Sequence, residues 1–195
     1  MKSVLISIRP EWVEKITSKK KTVEVRKTAP KEVPFKAYIY CTKAKRKWKL
    51  WDYEGAYENS KGEITCAQQH IIGEFVCDKV FLLRPYAYDG GNADLGRRKF
   101  IQTFEGPSKA IKILSATCLS QNEMFDYIGV GNYGYGWHIS DLKIYDKPKE
   151  LSEFFKPCSE KEDICLDCIY YNEYDEVCAN NLTRPPQSWQ YVEEI

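Results

Sequence analysis

The first 26 residues allow the chain few folds. Val4-Leu5-Ile6-Ser7-Ile8 reads as a strand. Pro10 then suits the first turn of a helix, where its missing N–H costs nothing. Trp12, Val13 and Ile16 form one apolar face of that helix, which should end near Ser18. Extended structure must resume almost at once, because Thr22-Val23-Glu24-Val25-Arg26 alternates. Alternation puts Val23 and Val25 on one face and Thr22, Glu24 and Arg26 on the other. Glu24 and Arg26 can therefore hold each other in a fixed geometry, with Lys21 adding a cation at the strand entrance. Such a cluster is costly to bury without purpose, and it offers donors and acceptors to a polar ligand. The alternative is a solvated charge run with a surface ion pair.

Beyond Pro30 and Pro34, Ala37-Tyr38-Ile39-Tyr40-Cys41 reads as another strand. Residues 43–62 look irregular. Ile71 to Cys77 looks like a buried strand that Val80 to Leu83 continues, and Arg84 to Pro107 like a long excursion with little regular structure. Ser120 and Glu123 have capping-box spacing ahead of a short helix through Met124 and Phe125. Trp137 to Tyr145 is strand-like, and Pro148 opens a final short helix, Lys149 to Phe155. Short strands interrupted by short helices point to an α+β fold, a small mixed β-barrel with short peripheral helices. Residues 1–155 would form that domain, and residues 156–195 an extension. The stiff segment Leu182 to Trp189 would return the extension to the barrel, with Trp189 docking.

Composition matters at three points. Hydrophobic residues make up 43% and aromatics 14% of the 195 residues, enough for a real core. The net charge of +1 conceals an asymmetry: residues 1–50 hold fifteen Lys/Arg against four Asp/Glu, and the remainder fourteen against twenty-four. A basic amino-terminal third fits a polyanion such as RNA or DNA, or is neutralised in the fold by the acidic remainder. Val4-Leu5-Ile6 is too short for a signal-peptide core, and no apolar stretch approaches the roughly twenty residues that span a membrane. A cytoplasmic protein with no membrane partner is expected, its eight cysteines reduced or metal-bound.

Cys158, Cys165, Cys168 and Cys178 give C-x6-C-x2-C-x9-C within the extension. Two cysteines two residues apart can chelate one ion from a tight turn, and two more complete a tetrahedron. The extension has little apolar material, so a structural zinc ion would supply its ordering energy. Four unrelated thiols are the plainer reading. Cys41, Cys66, Cys77 and Cys118 read as small buried apolar residues.

The run Lys43 to Lys49 carries Lys45 and Arg46 beside Trp48, an arrangement in which cations could meet phosphates and an indole a base, or simply a solvated loop. In Asn132-Tyr133-Gly134-Tyr135-Gly136-Trp137-His138 the glycines could let backbone approach a ligand, and Trp137 could stack on a base. The alternative is a turn whose aromatics pack the core, which suits Tyr133 better. His138 could serve as a general base but has the flanks of a structural histidine, and His70 has no evident partner. No phosphate-binding glycine loop, dinucleotide fingerprint or Gly-x-Ser-x-Gly elbow occurs, so nucleotide hydrolysis and hydride transfer find no support.

With those residues assembled, the chain resembles the ASCH domains of the PUA-like superfamily. The family motif, Gly-x-Lys-x-x-Glu-x-Arg at a helix-to-strand turn, is met by Lys21, Glu24 and Arg26, with Lys19 in place of the glycine. Ile8-Arg9-Pro10 and the segment Trp137 to Tyr145 are also similar to this family. The likeness covers roughly residues 1–155, and the cysteine tail is similar to an extension in a phage- and prophage-associated branch. The resemblance implies a small barrel with a cleft lined by the charged motif, and an association with RNA or modified nucleosides.

One relative implied by the resemblance is an amidohydrolase of N4-acetylcytidine, which uses a lysine, a threonine three positions on and a distant glutamate. Lys21 matches the lysine, but Glu24 stands at the threonine position. The favoured expectation is a binding module for RNA, DNA or a nucleoside or nucleotide. In it Lys21 and Arg26 face phosphate or a base edge, Glu24 orients Arg26, and Trp137, Lys45, Arg46 and Trp48 contribute. The alternatives are a hydrolase of a modified nucleoside or of RNA, with Lys21 as the cation and Glu24 as general base, and a protein adaptor. An adaptor would use the acidic tail, where residues 150–195 carry eleven Asp/Glu against three Lys/Arg.

Overall fold

The computed structural model describes residues 1–43, 56–58, 64–66, 68–89, 97–157, 171–172, 177–178 and 180–194. In chain order the elements are β1 (Ser3–Ile8), α1 (Pro10–Thr17), β2 (Val23–Arg26), β3 (Phe35–Cys41), β4 (Ala56–Glu58), β5 (Ile64–Cys66), β6 (Ile71–Cys77) and β7 (Val80–Asp89). There follow β8 (Arg97–Thr103), α2 (Pro107–Thr117), α3 (Gln121–Ile128), β9 (Gly134–His138), β10 (Ser140–Lys149), a 3-10 turn at Leu151–Glu153, β11 (Phe154–Phe155), β12 (Tyr171–Asn172), β13 (Val177–Cys178) and β14 (Trp189–Glu194). The fold is mixed α+β with a few short helices. Among the described residues no helix is long and apolar enough to cross a membrane.

Two compact units divide the chain. The first comprises Met1–Glu14, Lys36–Phe75 and Leu142–Ile195, the second Lys15–Phe35 and Val76–Asp141. The first is built on a six-stranded sheet, ordered β10-β6-β3-β1-β14-β11. β1 lies parallel to β3, with Leu5 opposite Tyr38, and antiparallel to β14, with Ile6 opposite Trp189. Leu5, Tyr38, Tyr40, Ile71, Tyr145, Phe154, Leu182 and Val192 close its apolar core. Within this unit Tyr145 donates to Glu74 at 2.6 Å, and Lys36 stands 3.4 Å from the same carboxylate.

The second unit is a four-stranded antiparallel sheet, ordered β2-β9-β7-β8, with α2 and α3 against one face. Val23 and Val25 join Leu83, Ile101, Ile113, Met124, Phe125 and Ile128 in its core. The strand-face assignment of Val23 and Val25 made from alternation therefore holds. Gly134 and Gly136 are close-packing positions: a Cβ on Gly134 would lie 2.4 Å from Ile128 Cδ1, and one on Gly136 2.9 Å from Val23 Cγ1. They let β9 approach α3 and β2, which is a different use from admitting a ligand.

Several sequence expectations need correction. The span from Arg84 to Pro107 is not an irregular excursion, because β7 runs on to Asp89 and pairs with β8 in register Arg84 to Gln102 and Tyr86 to Phe100. Nor does β7 continue β6, since the two belong to different sheets. The region 43–62 contains β4, paired with β5. Trp137 to Tyr145 is two strands, β9 and β10, in separate sheets. Pro148 lies inside β10 rather than opening a helix. β10 is an edge strand, where a missing N–H need not cost a ladder hydrogen bond. The helix α2, opened by Gly106-Pro107, was not anticipated. The capping box of α3 forms as expected, with Glu123 N donating to Ser120 Oγ and Ser120 N to Glu123 Oε2.

Candidate functional site

The turn between α1 and β2 is built as a plug for the end of α2. Lys19 N and Lys21 N donate to Ile16 O and Lys15 O, closing the end of α1. Lys19 adopts a left-handed conformation, φ 59°, at the motif position where glycine is usual in the family it resembles. The chain then turns onto α2. Thr22 N donates to Ala116 O at 3.0 Å, and Cys118 Sγ to Lys20 O at 3.3 Å. Lys21 Nζ donates to Thr117 O at 2.6 Å and to Val23 O at 2.9 Å, and stands 3.3 Å from Glu24 Oε2. Two of the ammonium's donors go to these main-chain carbonyls, while Glu24 Oε2 is an ion-pair neighbour that accepts no hydrogen bond. The ammonium's position at the carbonyl end of α2 is also where a cation is favoured by the helix dipole.

Lys21, Glu24 and Arg26 are thus brought together as the spacing suggested, and the surface-pair alternative fails, because they are 2%, 5% and 9% exposed. Arg26 Nη2 lies 3.2 Å from Glu24 Oε1, so one carboxylate bridges two cations. Lys21 does stand at the strand entrance, where its ammonium meets two main-chain carbonyls and lies beside Glu24. The Glu24–Arg26 pair sits on the sheet face opposite the helices. Register extends that face across β9 and β7: Glu24 pairs with Trp137 and Arg26 with Tyr135, and these pair with Val80 and Leu82.

Two aromatics exchange roles relative to the sequence reading. Trp137 is 0% exposed and meets Phe35 edge-on at 4.9 Å, so no face of its indole is open for a base. Tyr133, expected to pack in the core, is 46% exposed and lies under the Arg84 guanidinium at 5.4 Å. Arg84 belonged to the stretch read as irregular. The alternation Leu82, Arg84, Tyr86 was the signal that could have found it.

His138 does gain a partner. Its Nδ1 lies 2.6 Å from Asp78 Oδ1, and this hydrogen bond holds the Asp78 carboxyl below its ordinary range. His70 is also partnered, with Nε2 3.1 Å from Glu150 and Nδ1 2.8 Å from Gln68 O. Cys41 and Cys77 are buried as expected, and burial pushes the Cys77 thiol up to about 12, which makes it inert. Cys118 is only partly buried.

Lys45, Arg46 and Trp48 lie outside the described residues, as do Cys158, Cys165 and Cys168. For Cys178 only the backbone is described, in β13 opposite Tyr171. Among the described residues no group of three His, Cys, Asp or Glu could hold a metal ion.

No family model matches the chain, and no curated protein does either. Solved structures do match. The ASCH protein of Zymomonas mobilis superposes with a TM-score of 0.52 at 18% identity, covering 98% of this chain and 88% of that one. A serine-to-alanine variant of the same protein gives 0.52 at 17% identity, covering 98% and 89%. A tyrosine-to-phenylalanine variant gives 0.51 at 16%, covering 99% and 91%. At these identities the likeness speaks for the fold alone: this chain is folded like the Zymomonas mobilis ASCH protein.

Proposed function

We propose that the chain is a PUA-like binding module for nucleic acid, RNA in the first instance, and that Arg26, oriented by Glu24, contacts the ligand. The observation that supports this most is the buried Glu24–Arg26 pair. Burying charges in a sheet face seldom adds stability over an apolar packing, so their retention suggests a recognition role. A guanidinium presents five donors in a fork suited to phosphate or a guanine edge. Lys21 serves as the clamp that holds Glu24 in place and keeps β2 docked on α2. The engagement of Lys21 also favours binding over the hydrolase alternative, which needs that lysine free. Titrating labelled oligonucleotides into the parent and Arg26→Ala tests the reading. Salt-sensitive binding should weaken by about 5- to 150-fold in the variant, the equivalent of about 1–3 kcal/mol for one bidentate contact. Equal affinity in a folded Arg26→Ala removes Arg26 from the site.

For the extension we propose a structural zinc ion held by Cys158, Cys165, Cys168 and Cys178. The surrounding backbone suits this. Leu182 N donates to Phe154 O and Lys156 N to Asn180 O, with a bridge between Phe155 and Asn181. Those contacts close the base of the stretch containing all four cysteines, and β12 and β13 fold it back on itself. Four thiolates are a zinc set, and the ion would order the stretch without taking part in binding. About one zinc per molecule is expected by elemental analysis. The acidic surface of this tail would repel nucleic acid and leaves room for a protein partner there. A cytoplasmic location, where thiols stay reduced, accords with this reading.

A further inference from the structure

Beyond Arg26, the same sheet face carries a group of exposed rings that the sequence did not mark. Arg84 and Tyr86 follow Leu82 on β7 at alternate positions, so they continue the face of Arg26 and Tyr135. Tyr86 and Phe100 are paired across β7 and β8, with ring centroids 5.1 Å apart, and are 40% and 42% exposed. Tyr133 reaches the group from the loop before β9, stacked beneath Arg84, and Gly131 N anchors that loop by donating to Pro85 O. By strand rise and spacing the group begins about 12 Å from Arg26 and extends to about 20 Å, at Phe100 on β8.

We propose that Tyr86, Phe100 and Tyr133 form a stacking platform for the bases of a single-stranded nucleic acid, with Arg84 meeting its phosphates. This rests on the binding role proposed above and assigns where, and in what form, the ligand lies. Three rings exposed on one small area are uncommon on a protein that leaves nothing bound there. Charge selects the occupant. Among the described residues no carboxylate pairs with Arg84, whose Nε is buried without a hydrogen-bond partner. Among the described strand residues that register and alternation place on this face, the only carboxylate is Glu24, already held by Lys21 and Arg26. The face is therefore cationic and aromatic, the combination that takes a phosphate backbone and unpaired bases together. A duplex hides its base faces and cannot use it.

The test is fluorescence anisotropy with a labelled strand of about 12 nucleotides, as RNA and as DNA, and with the corresponding duplex. The variants are Tyr86→Ala, Phe100→Ala and Tyr133→Ala, beside Tyr86→Phe and Tyr133→Phe. All three positions are exposed, so the variants should fold, and circular dichroism checks this. Each ring removed should weaken single-strand binding by roughly 5- to 150-fold. The phenylalanine variants should bind like the parent. Arg84→Gln should lower the salt slope by about 0.7. Comparing RNA with DNA identifies the natural polymer. Parent-like binding by all three alanine variants, while Arg26→Ala is weakened, overturns the platform and leaves the binding role standing. Duplex bound as tightly as single strand also overturns it. A parent that binds no strand overturns both.

Discussion

Replacing Lys21 by methionine keeps the aliphatic stem and removes the charge. Glu24 would then stay buried with Arg26 alone against it, and the carbonyls of Thr117 and Val23 would lose their shared donor. Breaking a buried ion pair from one side costs about 3–5 kcal/mol. Hydrogen bonds from a charged donor contribute about 1.5–3 kcal/mol each, but these overlap with the ion-pair cost because one ammonium makes them all. A loss of about 3–5 kcal/mol is therefore expected for Lys21→Met. With a urea slope of about 2 kcal/mol per molar, the unfolding midpoint should fall by about 2 M. Adding Glu24→Gln removes the stranded charge, so the double variant should recover at least about 1 kcal/mol relative to additivity. Urea titrations followed by circular dichroism measure all three chains. A loss below about 1 kcal/mol, together with collapsed oligonucleotide affinity, would show that the ammonium serves the ligand and not the turn.

Lys19→Gly should stabilise the chain by up to about 1 kcal/mol, because a left-handed residue with a Cβ is strained at φ 59°. Lys19→Val should destabilise it, and a thermal melt of the pair reads both signs. Gly134→Ala should cost about 1–3 kcal/mol through collision with Ile128, and pairing it with Ile128→Val should return part of that. Acid should weaken the fold. Burial raises the Glu74 carboxyl, but the hydrogen bond from Tyr145 and the Lys36 ammonium outweigh it and hold the group below 4.5. Its stabilisation is complete above that ordinary value and is lost as pH falls through the lower folded-state value. Melting temperature should drop below pH 4.5, and less steeply in Glu74→Gln. An unchanged acid slope in that variant would contradict the assignment.

Much of the second unit's first strand could be read from the chain because its signals are local. Pro10 opens α1, alternation faces Val23 and Val25 inward, and Ser120 with Glu123 caps α3. The failures came where partners are remote. The acceptor that occupies Lys21 most closely, Thr117 O, lies 96 residues away, and no spacing rule reports a carbonyl. The Gly-, Asp- and Arg-rich span from Arg84 to Pro107, Pro85 within it, looks like a loop in sequence. Yet β9 accompanies β7 only as far as Leu83, so Pro85 sits where one side of the strand has no β9 neighbour and its missing N–H costs little. Trp137 and Tyr133 differ by position rather than by type. Trp137 pairs with Glu24 and Val80 in the middle of the sheet, whereas Tyr133 precedes the first residue of β9, at its rim.

Where the ligand lies can be read directly by mapping amide chemical shifts of isotope-labelled protein during titration with a single-stranded oligonucleotide. Shifts should concentrate at Glu24 to Arg26, at Arg84 and Tyr86, at Phe100 and at Tyr133, and should be attenuated there in Arg26→Ala. Saturable binding that leaves those residues unmoved, with shifts confined to the first unit, would contradict the assignment of this face as the binding site.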